Sequence, residues 1–293
     1  MLKVVLLSGT ILNFKKKMNI IIRKIYYALP VTLRYSVRRI IYFPADLFQK
    51  RSSLVPPKGL IFIGSGDFLK TGKQFFEHFQ RYCEFTPDSS ILDIGSGIGR
   101  MAIPFTNFLS PKGRYEGFDI VKIGIDWCTK NISSRFPNFT FKLIPLKNDL
   151  YRLDTDVQAA ELKFPYNDNS FDLVFLTSVF THMLPADIEN YISEIQRVLK
   201  KDKQCFATFF IIYDENENIP NRTGTKSFPY NFGNYYLMDK KVKEANVAFK
   251  KSYILELLKK NNLELTHFIK GNWSGIQNTE LNEHQDIVIF KKL

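Results

Sequence analysis

The chain has 293 residues, 45% hydrophobic and 24% charged, which is the profile of an ordinary globular protein with room for one large domain and an appendage. Cys83, Cys128 and Cys205 are too few and too scattered for a disulfide scaffold or a four-ligand zinc site, so a reducing, cytoplasmic setting is expected. The net charge of +12 points toward nucleic acid only until it is mapped: residues 1–51 hold eleven Lys or Arg against one acid, and the other 242 residues are nearly neutral at +2.

The first element in chain order is this basic arm. In "MNIIIRKIYYALPVTLRYSVRRIIYF" apolar residues recur at spacings of three and four, interleaved with Arg23, Lys24, Arg34, Arg38 and Arg39, and Pro30 is expected to divide the run into two helices. Two readings are open for residues 1–51. One lays these helices on an anionic membrane surface, and the other packs them on the main domain with their charges reaching out to water. The apolar run "VVLLSGTILNF" is too short to cross a bilayer, and its lysines follow it, whereas a secretory signal places them first; Met18 offers a second start.

Residues 52–87 form a leading segment. It contains "IFIGSGDFLKTG", where Asp67 is suited to cap the amphipathic run "FLKTGKQFFEHF". From residue 88 the pattern alternates strand and helix. Strands are expected at "SSILDIGS", "RYEGFDI", "FTFKLI", "FDLVFLTSV" and "QCFATFFII", and helices at "GRMAIPFTNFL", "VKIGIDWCTKNISSRF" and "PADIENYISEIQRVLK". That order predicts an α/β domain, doubly wound around a mostly parallel sheet. The rhythm changes at residues 213–249, read as an irregular insert. It is followed by the helix "KKSYILELLKKNNL" and by "LELTHFIKGNW" and "QDIVIFKK", which with no helix between them predict an antiparallel edge pair.

The Gly-Ser-Gly of the leading segment recurs in "ILDIGSGIGR", here after a strand and before a helix. Gly95, Gly97 and Gly99 permit a tight turn against which a ligand can lie, and Asp119 ends the next strand where a carboxylate can take both hydroxyls of a ribose. A dinucleotide turn reads Gly-x-Gly-x-x-Gly over a pyrophosphate. This one reads Gly-x-Gly-x-Gly after Asp93, an acid ill suited to a phosphate site.

At these residues the chain resembles the class I S-adenosylmethionine-dependent methyltransferases, whose first motif is an acid, a hydrophobic residue, then Gly-x-Gly-x-Gly; the resemblance covers residues 88–293. It implies a seven-stranded sheet of order 3-2-1-4-5-7-6 with strand seven antiparallel. It also implies S-adenosylmethionine as cofactor, with Asp93, Gly95, Ser96, Gly97 and Gly99 at the methionine end, Asp119 on the ribose and Ile120 beside the adenine. "FPYNDNSFDLVFLTSVFTHM" looks like the family's fourth motif, which places Ser178 near the transferring methyl. The acid that usually follows strand three is missing from "FKLIPLKNDLY", leaving Asn148, Asp149 or a backbone group for the adenine amine. "LVPPKGLIFIGSGDF", "YEGFDIVKIGIDWC" and "LTSVFTHM" add a likeness to bacterial methyltransferase-domain proteins of uncertain acceptor. In the family a leading segment commonly folds over the cofactor, so residues 64–68 are either such a lid or a plain capping turn.

Methyl transfer to a hydroxyl needs its proton removed, and His182 is the histidine that topology places beside the glycine turn. It is read either as general base or as a residue that only shapes its loop. Trp273, Glu283 and His284 are further candidates for the acceptor pocket, and Tyr213, Tyr235 and Tyr236 lie in or beside an insert read as an acceptor lid. No spacing reads as a metal site. The expectation is an O-methyltransferase for a saccharide, lipid-linked or small-molecule acceptor, cytoplasmic or peripheral at the inner membrane face. A nicotinamide-dependent oxidoreductase and a non-catalytic adenosyl-binding module are the alternatives, and the near-neutral body argues against a nucleic-acid partner.

Overall fold

The computed structural model describes residues 31–48, 51–64, 66–148, 155–213, 227–275 and 280–293. They divide into two units, one of Met1–Arg51 with Pro57–Ile61 and one of Ser52–Pro56 with Phe62–Leu293. In the first unit, helix α1 (Val31–Phe48) starts directly after Pro30 and runs through Pro44. The first of the two expected arm helices lies outside the described residues.

The second unit opens with α2 (Phe68–Tyr82), then β1 (Ser90–Ile94), α3 (Ala102–Phe105), β2 (Arg114–Asp119), α4 (Lys122–Cys128), β3 (Phe139–Leu143), β4 (Phe171–Leu176), α5 (Pro185–Val198) and β5 (Leu199–Phe209). It continues with β6 (Ile211–Ile212), β7 (Tyr230–Asn231), β8 (Tyr235–Leu237), β9 (Val247–Lys250), α6 (Lys251–Lys260), β10 (Leu263–Ile269) and β11 (Asp286–Lys292). The main sheet runs β10-β11-β5-β4-β1-β2-β3, parallel except for β11, which is antiparallel to both neighbours. Counting only main-sheet strands, this is the expected order 3-2-1-4-5-7-6, with the antiparallel strand where it was expected.

Helices cover both faces of this sheet, so its central strands are buried on both sides and read as continuous apolar runs. On one face α2 presents Phe79 to Phe175 of β4 with ring centroids 4.5 Å apart, and to Phe206 of β5 edge-on at 4.9 Å. The other face is closed by α5 through Ile188, Tyr191, Ile192 and Ile195. Parallel register brings Ile94 of β1 level with Phe118 of β2, and Asp119 level with Leu143 of β3, so the carboxyl ends of these strands finish together. In such sheets, that edge is where ligands bind.

Two expectations are corrected. The helix after the glycine turn shrinks to the single turn of α3: Pro104 lacks an amide to donate, and Thr106 bends its hydroxyl back to the Ile103 carbonyl. The described part of the insert is not wholly irregular: it supplies β7, β8 and β9 to a second, four-stranded sheet of order β6-β9-β8-β7, which β6 joins from just before the insert, and strands of two to four residues are too short to leave an alternating pattern in the sequence.

Candidate cofactor and acceptor site

The chain leaves β1 at Ile94 and reverses within a few residues, with Gly95, Gly97 and Gly99 at φ of 76°, 57° and 80°, left-handed values that other residues adopt only under strain. The turn is tied to the end of β2. Gly95 and Ser96 donate their amides to the Phe118 carbonyl at 2.9 and 3.0 Å, and Gly97 donates to Asp119 Oδ2 at 2.8 Å. Asp119 Oδ1 accepts from the Val121 amide at 2.7 Å. Burial pushes the Asp119 carboxyl up to about 6, against the pull of the amides at Val121, Gly97 and Ile120. A carboxylate has about four acceptor positions, so these bonds leave capacity for a ribose hydroxyl. The side chain keeps 8% exposure at the sheet edge.

Asp93 is placed differently. It is 1% exposed and accepts the Tyr115 hydroxyl at 2.5 Å. Burial pushes its carboxyl up to about 7; the Tyr115 bond opposes that shift and the nearby Asp119 adds to it. Asp93 is thereby tied to Tyr115 of β2.

The leading segment comes back onto this turn. A Cβ on Gly97 would stand 3.0 Å from Ile63 Cγ2, and Arg100, in the turn itself, donates from Nη2 to the carbonyls of Ile63 at 3.0 Å and Gly64 at 3.5 Å. Gly72 lets α2 approach the same stretch, since a Cβ there would fall 2.5 Å from the Arg100 carbonyl oxygen. Asp67 also caps α2, its Oδ1 accepting from the Lys70 amide at 2.7 Å. Arg100 is buried and has no carboxylate partner among the described residues; its guanidinium lies 5.5 Å from the Phe68 ring. The sequence reading passed over Arg100, and only its place directly after the last glycine of the turn could have drawn attention to it.

The donor set suits an adenosyl amino acid. Asp119 offers a ribose acceptor, and two polar atoms of the turn, Ser96 Oγ and Arg100 Nε, are buried with no hydrogen-bond partner among the described residues. Ile120 is half-buried beside Asp119, and Asn148 is half-buried five residues beyond β3, while Asp149 lies outside the described residues.

Two residues beyond the end of β4, Ser178 is held at φ 59°, a costly conformation for serine and one that clusters at functional sites. Its amide donates to Thr208 Oγ1 at 2.7 Å and its hydroxyl to Gln285 Oε1 at 3.0 Å. Val179 follows and crosses the glycine turn so closely that a Cβ on Gly95 would fall 2.4 Å from Val179 Cγ2. His182 then ends the turn Phe180–His182, with Nδ1 2.9 Å from the Glu244 carbonyl oxygen of the insert. A carbonyl only accepts, so Nδ1 carries the hydrogen and Nε2 is the basic nitrogen of the neutral ring.

The other candidates are each held by contacts of their own. Trp273 is fully buried and donates Nε1 at 2.6 Å to Asp286, which also accepts from the amides of Ile211 and Gly271 and from the Tyr213 hydroxyl. This fully buried acid, pushed up to about 6 by burial, pins the start of β11 to the β5–β6 junction, and the sequence reading did not anticipate it. Glu283 accepts from Gln74 at 2.6 Å and His78 at 2.8 Å of α2, His284 contacts Asn272, and Tyr236 is buried while Tyr235 stacks on Phe232. Among the described residues no group of three or more His, Cys, Asp or Glu is arranged to hold a metal ion.

Comparison with known proteins agrees with this geometry. Residues 92–207 match the family described as a methyltransferase domain. The PH0226 protein of Pyrococcus horikoshii OT3 superposes with a TM-score of 0.55 at 16% identity, over 80% of this chain and 95% of its own. A 1,6-didemethyltoxoflavin-N1-methyltransferase of Burkholderia thailandensis, solved with S-adenosylhomocysteine, gives 0.48 at 13% identity over 90% of each chain. With the glycine turn, the acid at the end of the second strand and the sheet order already in place, the match over residues 92–207 supports a class I S-adenosylmethionine-dependent methyltransferase domain and indicates S-adenosylmethionine as its cofactor.

Proposed function

We propose that the protein methylates a hydroxyl oxygen of a saccharide, lipid-linked or small-molecule acceptor in the cytoplasm, with His182 as general base. The observation that carries this reading is the placement of His182, oriented by the bond from Nδ1 to the Glu244 carbonyl, on a turn whose preceding residue Val179 crosses the glycine loop. When bound, the cofactor supplies a methyl group already activated by a positive sulfur.

What remains for the chain is to hold the acceptor in line and to take its proton. The hydroxyl proton would pass to Nε2 of His182 and leave later to water, while the acceptor oxygen would take the methyl group as its bond to sulfur breaks and S-adenosylhomocysteine is left as the second product. The Glu244 carbonyl keeps the ring oriented and stabilises the imidazolium so formed. Asp119, Ser96 and Arg100 hold and orient the adenosyl and amino-acid ends, and the fixed backbone at Ser178 and Val179 sets the distance between turn and base. The glycine spacing and the acid before it disfavour nicotinamide chemistry.

The test is incubation with methyl-labelled S-adenosylmethionine and separated soluble and membrane extracts, run beside His182→Gln. Label should enter an alkali-stable ether in one extract. The variant should lose about a hundredfold or more in kcat while binding S-adenosylhomocysteine as the parent does. Full turnover by His182→Gln would remove the histidine from the chemistry, and label confined to nitrogen or to protein would overturn the O-methyl reading.

A further inference from the structure

The first unit inverts the usual arrangement of an amphipathic helix, in which the apolar stripe is buried and the polar face meets water. In α1 the polar side is the one tied down. Asp46 accepts from the amides of Lys58 at 2.6 Å and Gly59 at 3.0 Å, Arg51 donates to the Asp46 carbonyl at 2.9 Å, and Arg38 reaches the Lys58 carbonyl at 3.4 Å. Gly59 permits this approach, since a Cβ there would stand 2.9 Å from Arg39 Cα. The opposite side carries Leu33, Ile40, Ile41, Phe43, Leu47 and Phe48, positions that fall on one broad helical face. Five of these, all but Leu33, are 63–83% exposed.

Charge narrows what can cover that face. Residues 1–51 carry eleven Lys or Arg and only Asp46 as an acid, and Asp46 is already engaged by the amides of Lys58 and Gly59. A second copy of the chain would bring a local charge of +10 against +10. An anionic bilayer offers an apolar interior and a negative headgroup layer together, in the order this helix presents apolar face and basic flank. No helix among the described residues, α1 included, is long and apolar enough to cross a membrane, so α1 itself would meet a bilayer along its length. We infer that α1 docks the protein flat on an anionic membrane surface, inserting the face of Ile40, Ile41, Leu47 and Phe48, with Arg38 and Arg39 at headgroup level. This inference is independent of the acceptor proposed above.

The test uses the full chain and co-sedimentation with extruded vesicles, either phosphatidylcholine alone or an approximately equal mixture with phosphatidylglycerol. The parent should partition onto the anionic vesicles, weakly onto neutral ones, and less as salt rises. Ile40→Glu with Leu47→Glu, at exposed positions that leave the fold intact by circular dichroism, should lower the partition coefficient by about tenfold or more, and Arg38→Gln with Arg39→Gln by a similar factor on anionic vesicles only. Equal binding to both lipids, or no loss in either variant, would overturn the inference. So would a dimer in lipid-free sedimentation that the glutamate pair dissolves while vesicle binding is absent, since a second copy would then be the occupant.

Discussion

Residues 64–66 and 95–97 spell the same Gly-Ser-Gly, and the fold uses them in opposite ways. The second copy is locked from below, with the amides of Gly95, Ser96 and Gly97 all engaged by the end of β2, and crowded from above by Val179 and Ile63. The first copy, of which Gly64 and Gly66 are described, is held by Arg100 through the carbonyls of Ile63 and Gly64. Gly64 and Gly66 also have positive φ, at 29° and 118°, but a Cβ on either would meet nothing closer than 3.5 Å. A shared tripeptide therefore specifies a tight turn and nothing more. The residues after it decide the rest: Ile98, Gly99 and Arg100 continue a cofactor turn, and Asp67 starts a helix.

The comparison can be broken by adding one methyl group to each copy. Gly95→Ala combines a left-handed backbone with a Cβ 2.4 Å from Val179 Cγ2, and should cost about 3 kcal/mol of stability and abolish S-adenosylhomocysteine binding. Gly66→Ala bears the backbone penalty alone, its nearest contact being Thr71 Oγ1 at 3.5 Å, and should cost about 1–2 kcal/mol with binding weakened less than tenfold. Thermal unfolding and calorimetric titration read both quantities, and equal losses in the two variants would show that the copies are not differentiated as described.

A smaller effect is expected where the two copies meet. Arg100→Ala removes the donor to the Ile63 carbonyl and leaves every β2-to-turn bond in place. S-adenosylhomocysteine affinity should fall about tenfold, with faster amide exchange confined to residues 62–68, while Arg100→Lys should restore part of both because an ammonium can still reach a carbonyl but loses the fork. Unchanged exchange in the alanine variant would mean that the leading segment is held by packing alone.

How much of this was legible beforehand follows from range. The sheet order, the antiparallel edge pair, the Asp67 cap and the glycine turn rest on local patterns, and these the sequence displays openly. The Arg100 latch spans 37 positions, the Asp286 hub joins residues up to 75 apart, and Glu283 meets α2 from more than 200 positions away, so no window of neighbours contains them. β5 begins in the charged run "LKKDKQ", whose first two residues the periodicity assigns to the preceding helix; Lys200 is kept there by Asp172 at 2.8 Å. The face of α1 that meets solvent was equally hidden, because periodicity shows that a helix has two sides and is silent on which one is tied down.

The last contrast lies between Asp93 and Asp119, acids of the same site with different duties. Asp93, Asp119 and Asp286 are held up at about 7, 6 and 6, against 3.8 for an unperturbed aspartate. Below pH 4 each is protonated in both folded and unfolded chains. Between pH 4 and 7 the unfolded chain ionises first while the folded chain retains its protons, so folding takes up protons and stability falls as pH rises. The ligand-free protein should accordingly lose melting temperature from pH 5 to 7.5, and Asp93→Asn should remove the part of that slope nearest pH 7. Cofactor binding should run the other way. On the proposed reading, in which ribose hydroxyls donate to an ionised Asp119, S-adenosylhomocysteine affinity should rise up to about tenfold per pH unit below 6 and level off above it. Asp119→Asn should flatten that rise and Asp93→Asn should leave it intact, because the Asp93 carboxyl is tied to Tyr115. If instead Asp93→Asn flattened the binding curve, the acid before the glycines would be the one that meets the ligand.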